Sequence, residues 1–207
     1  MRASLALALI ALSPCLALAI TPEQDLSVHT DRGGDTLHIT VDMRVAVKPR
    51  RAWEVMTDFD RMAGFVPNLS SSKVVAQSGN RLKVLQKGAY SLGPWSFPFE
   101  SVREVELFPY AKVTSHATSG TMKSMDSVTY FEADGQNTRV NYNSTLIPAQ
   151  SIPPLIGPGF INSEVREQFQ AMRNEMMRRE QLVKRSSPQI TAVSKRTQRR
   201  AKPLGAA

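Results

Sequence analysis

The chain is short of chemistry-bearing residues before it is rich in anything. Among its 207 residues there is one cysteine, Cys15, and there are three histidines, His29, His38 and His116. One cysteine cannot close a disulfide within the chain, so stability has to come from packing. No thiolate cluster can form, and no two histidines have ligand spacing on a helix, so the usual zinc sets are excluded and no metal or cofactor is expected. Catalysis by a cysteine nucleophile is excluded with them once the first nineteen residues are read as follows. Met1-Arg2 is a basic start, Ala3 to Leu12 is an apolar run, Ser13-Pro14 breaks it, and Ala17-Leu18-Ala19 is a small-x-small cleavage pattern before Ile20. This is the pattern of a secretory signal peptide over residues 1–19; the alternative is an uncleaved membrane anchor, for which the run is short and is interrupted at Ser13-Pro14. It predicts a periplasmic or secreted protein whose mature chain lacks Cys15.

Acidic residues are missing from the last part of the chain. Of the 26 Lys and Arg, Arg2 lies in the leader and seven lie from Lys184 onward, where no Asp or Glu occurs, so the body between is balanced against all 18 acids. The net charge of +8 is therefore a property of the two ends. The stretch "SKRTQRRAK" (Ser194 to Lys202) holds cations without aromatic residues between them, which argues against stacking recognition of single-stranded nucleic acid. An anionic envelope surface is the better candidate partner, beside a purely solubilising role. Residues 184–207 show no periodicity and are expected to be a disordered basic tail.

What is present between the ends is alternation. Residues 20–34 are polar and turn-rich, a lead-in. From Asp35, the residues Leu37, Ile39, Val41, Met43, Val45 and Val47 recur every second position, the period of a half-buried strand. Pro49 suits a helix first turn, and Ala52, Trp53, Val55 and Met56 follow at helical spacing. Asp58 is placed to cap a second short helix that Pro67 stops. Six more strand-like runs then follow, over 72–77, 81–90, 97–107, 112–118, 122–131 and 139–147, separated by turn residues such as Gly79-Asn80 and Asp134-Gly135. After a Pro/Gly connection, Ile161, Val165, Phe169, Met172 and Met176 form one apolar stripe of a long helix reaching about Val183. The stripe is the only one able to cover the sheet, giving an α+β domain over 35–183.

The segments "VKPRRAWEVMTDFDRMAGFVPNLSSSKVV" and "DGQNTRVNYNSTLIP" resemble the START-like (SRPBCC) superfamily, which includes polyketide cyclases, lipid-transfer domains and a coenzyme Q-binding group. The resemblance covers about Asp35 to Val183. It implies a helix-grip fold, in which a curved antiparallel sheet of about seven strands wraps around the C-terminal helix and two short helices follow the first strand. It also implies an apolar cavity, with the stretch Asp58 to Pro67 as a gate.

The inward side of that cavity is expected to carry Leu82, Val84, Val113, Ser115, Val140, Tyr142 and Leu146 from strands. Phe169, Met172 and Met176 would come from the helix, with Trp53 and Phe65 near the entrance. Unbranched Met suits a site for flexible apolar ligands, although each of these residues is also an ordinary core residue. His38 and His116 fall on the polar side of their strands, and the alternation puts no ionisable group inside, so no catalytic residue is expected. The function predicted is binding of a hydrophobic small molecule or lipid, quinone-like or acyl. The rivals are a cyclase-like or aromatase-like enzyme, which needs an ionisable group inside, and a macromolecular interaction module.

Overall fold

Alternation does build the sheet, and the sheet gains a strand. The structure is a computed structural model that describes residues 25–149 and 157–200, with side chains through residue 186. The leader, the Pro/Gly connection at 150–156 and residues 201–207 lie outside the described residues. In chain order the elements are β1 (Leu26–Gly33), β2 (Thr36–Val45), α1 (Pro49–Met56), a 3-10 helix (Phe59–Gly64), β3 (Leu69–Ser78) and β4 (Arg81–Leu92). They continue with β5 (Trp95–Phe108), β6 (Lys112–Gly120), β7 (Met122–Asp134), β8 (Asn137–Pro148) and α2 (Pro158–Arg200). All strand pairs are antiparallel in one eight-stranded sheet of order β1-β2-β8-β7-β6-β5-β4-β3.

β1 lies in the expected lead-in and corrects it. Only Leu26, Val28 and Thr30 face inward there, too short an alternation to stand out, but full pairing with β2 satisfies its backbone. Side chains from α2 hold it further: Arg166 Nη1 donates to the Leu26 carbonyl (2.8 Å), and Arg173 Nη2 reaches Asp25 Oδ2 (2.7 Å).

α1 starts at Pro49 as expected, with Ala52 and Val55 fully buried. Asp58 takes the N-cap position of the 3-10 helix, yet its carboxylate caps nothing and is engaged in ion pairs instead. Inward residues from β2, β4, β5, β7 and β8 meet Phe169, Met172 and Met176 of α2 in one core. The α2 backbone runs on through Arg200, past Val183, into the segment expected to be disordered. The sequence there has no apolar stripe, but a nucleated helix propagates through good helix formers such as Lys, Arg and Gln.

Candidate functional site

An enclosed apolar space among the described residues lies between the open end of the sheet and the first turns of α2. It has a volume of about 640 Å³ and is walled by residues such as Leu37, Tyr90, Phe97, Phe99, Leu146 and Ile161. Size and lining suit a small apolar ligand. A larger groove, about 1130 Å³, runs across the outward face of the sheet and carries His38, His116 and Asp126. It is open and polar, with His116 Nδ1 2.7 Å from Asp126 Oδ1 and His38 Nδ1 3.1 Å from Thr145 Oγ1. The histidines are therefore surface residues, as the alternation required.

The expected pocket residues of the strands and of α2 face inward, but they divide by position. Leu146 lines the apolar cavity. Val84, Val140 and Met176 are fully buried, and Leu82, Val113, Phe169 and Met172 are buried beside them in the core. Tyr142 packs on Phe169 with ring centroids 5.2 Å apart. The Ser115 hydroxyl is buried without a hydrogen-bond partner. Trp53 and Phe65 do not line the cavity; they flank clefts between the α1–3-10 segment and α2.

The inner face also holds ionisable groups, which corrects the expectation of none. Arg103 of β5 shares its face with Phe99 and Val105, paired to Val84 on one side and to buried Ala117 on the other. Its Nη2 donates to Gln86 Oε1, while its Nε is buried with no hydrogen-bond partner. Burial pushes the guanidinium below the ordinary arginine value. Gln86 in turn donates to Ser72 Oγ (3.1 Å) and contacts Met62 Sδ (3.3 Å), so the 3-10 helix roofs this cluster.

Two more groups reach the cavity itself. The Tyr90 hydroxyl accepts a hydrogen bond from Gln168 Nε2 (3.4 Å), its ring stacks on Phe99 at 4.9 Å, and burial raises its pKa. Glu164 accepts from Asn68 Nδ2 (2.6 Å), and burial, reinforced by the Glu167 charge, raises its carboxyl above the ordinary value against that hydrogen bond. Beside them only glycine fits at position 88. A Cβ on Gly88 would meet the Asn68 carbonyl oxygen at 2.0 Å and the Phe99 ring at 2.6 Å.

The expected gate is fastened to α2. Arg179 Nη1 lies 2.7 Å from Asp58 Oδ2, and its Nε lies 2.6 Å from Glu175 Oε1. The Arg178 hydrogen bond, helped by Arg179, holds the Glu175 carboxyl down at about 2. The Arg179 guanidinium also sits 5.6 Å from the Phe65 ring centroid.

A sheet gripping a terminal helix around such a cavity has known counterparts. The family described as polyketide cyclase / dehydrase and lipid transport matches residues 45–173. The chain belongs to that family. A STAR-related lipid transfer protein from Xanthomonas axonopodis is similar in structure at TM-score 0.57 and 12% identity, over 74% of this chain and 99% of that one. The Zhui aromatase/cyclase from a Streptomyces species is similar at TM-score 0.53 and 12% identity, over 70% and 95%. A protein from Thermus thermophilus is similar at TM-score 0.57 and 16% identity, over 68% and 97%. At these identities the structures establish the shared helix-grip fold. No curated protein matches the sequence.

Proposed function

We propose that the protein binds an elongated hydrophobic molecule, quinone-like or an acyl lipid, with its apolar body in the cavity and a polar end directed toward Arg103. The observation that carries this is a largely apolar cavity wall together with a buried guanidinium, Arg103, which lies outside the lining but acts electrostatically on the cavity-wall Tyr90 hydroxyl and has no carboxylate partner among the described residues. A buried cation is costly unless its hydrogen bonds are met, and a ligand carbonyl or carboxylate would meet the free Nε–H. Removing ligand surface from water contributes roughly 25 cal/mol per Å² before the costs of association. Export, expected from residues 1–19, would put such a carrier in the envelope. The cations from Lys184 onward support adhesion there to an anionic surface.

A second reading is cyclase-like chemistry on an apolar polyketide. It is favoured by the raised Glu164 carboxyl at the cavity wall, a group suited to moving protons. The binding reading is tested by native mass spectrometry of the protein purified from an envelope fraction, followed by organic extraction. A stoichiometric quinone or acyl lipid is the expected result. An empty protein that also takes up no quinone or lipid would remove the binding reading.

A further inference from the structure

Near its start, α2 places a carboxylate where the helix period calls for an apolar side chain. Phe160, Ile161, Glu164 and Gln168 are spaced by three and four residues and so share one helix face. Phe160, Ile161 and Glu164 line the apolar cavity, and Gln168 holds the Tyr90 hydroxyl at its wall. Glu164 brings the only ionisable carboxyl among the lining residues, and no cation answers it. Further along α2, Glu175 is paired with Arg178 and Arg179, and Glu180 with Arg51 and Lys184. Glu164 makes no ion pair among the described residues, and the Glu167 charge nearby adds to the negative potential.

The polar atoms left over at this wall differ in kind. Asn68 Nδ2 occupies Glu164 Oε2 at 2.6 Å, which leaves Oε1 as an acceptor. Gln168 Nε2 donates to the Tyr90 hydroxyl oxygen at 3.4 Å, which leaves the phenolic proton as a donor. Thr121, the remaining polar side chain of the lining, gives its own proton to the Glu100 carbonyl. Burial raises the Tyr90 pKa and the Glu164 charge adds to that rise, so the two groups act in one electrostatic neighbourhood. A hydroxyl is the smallest ligand group that can both donate to Glu164 and accept from Tyr90.

We infer that Glu164 is a charge filter for the cavity: with Tyr90 it selects apolar molecules that carry an uncharged hydroxyl at the polar end, and it turns away those that end in a carboxylate. The inference rests on the hydrophobic-ligand reading and narrows it. A fatty acid suits the apolar walls as well as an alcohol does, but it brings a like charge to a half-buried carboxylate. Of the carbonyl and carboxylate groups that could meet Arg103, the filter leaves the carbonyl. An ammonium end would satisfy Glu164, yet it has no lone pair for the Tyr90 proton, and it would meet the Arg103 cation, whose charge acts on the same hydroxyl. The class that remains is a neutral hydroxylated molecule, such as a glycerol monoester or a hydroxylated quinone.

The test compares the chain-matched probes decanol, decanoate and decylamine on the full-length mature chain, each displacing the neutral dye N-phenyl-1-naphthylamine. The wild type should hold decanol about tenfold or more tightly than decanoate. Any apolar cavity disfavours a charged end, so the deciding quantity is how that ratio changes in Glu164→Gln, which keeps an acceptor for Asn68 and loses only the charge. There the ratio should shrink by about tenfold, mainly through stronger decanoate binding. Glu167→Gln removes a neighbouring charge from outside the lining and should leave the ratio nearly as it was. Tyr90→Phe keeps a ring to stack on Phe99 and should weaken decanol binding severalfold. Thermal unfolding of each variant shows that the fold is kept.

Three results would overturn the inference and leave the cavity reading in place: a ratio unchanged in Glu164→Gln, an equal change in Glu167→Gln, or decylamine bound more tightly than decanol. Failure of the dye and of all three probes to bind the wild type would remove both.

Discussion

Arg103 is where strand parity and residue type disagree. It has the same parity as Phe97, Phe99, Val105 and Leu107, so the alternation of β5 already pointed it inward. The general preference of charged strand residues for water concealed it, and a register shift between Val102 and Arg103 in the β5–β6 pairing blurs the rhythm further. If its guanidinium serves a ligand, Arg103→Met should keep the fold, because Met fills similar length without the cost of burying a cation. Stability should change by no more than about 2 kcal/mol in either direction, the loss of the Gln86 contact offsetting the relief of desolvation. Ligand affinity should fall about tenfold or more, the loss of one charge-assisted hydrogen bond. Thermal melts and ligand titration together check this. A variant that unfolds readily while binding normally would make Arg103 a structural residue.

The α1–3-10 segment is an element held by charge on one side and by packing on the other. Phe59 and Met62 are buried, while Asp58 is tied to Arg179 and Arg61. Asp58→Asn should leave the buried contacts intact and weaken the tie to α2. Ligand release, followed by stopped-flow fluorescence, should quicken by about tenfold, equivalent to about 1.4 kcal/mol. Raised salt should speed release in the wild type more than in the variant, since screening acts on the pair that the variant lacks. Acid should act on the same fastening through Glu175. Its folded pKa, about 2, lies below the usual carboxylate value. Its stabilising contribution is therefore complete above about pH 4.5 and is lost as pH falls toward 2. A release rate indifferent to Asp58→Asn would show that the segment does not gate the cavity.

At the scale of the whole molecule, the order of elements was legible because each announces itself locally. Period-two runs marked β2 to β8, Pro49 marked the start of α1, and the Ile161 to Met176 stripe marked the grip helix. β1 escaped because three inward residues cannot establish a period, and its strand character comes from pairing with β2 and from Arg166 and Arg173 of α2. A cavity was expected, but the place of its walls escaped for a related reason. Its walls come from β2, the β4–β5 hairpin, the end of β8 and the start of α2, and no one of those segments shows in its own pattern that the space between them is left unfilled. An unfilled apolar space forfeits packing contacts, so this fold is expected to be measurably more stable when occupied. Ligand at a hundredfold excess over Kd adds about 2.7 kcal/mol by mass action, about 5–10 °C in Tm for a chain of this size. Stripping the protein by organic extraction and refolding should lower Tm by that amount. Adding back the extracted lipid should restore it, and Arg103→Met should blunt the restoration while leaving the stripped Tm near the wild-type value.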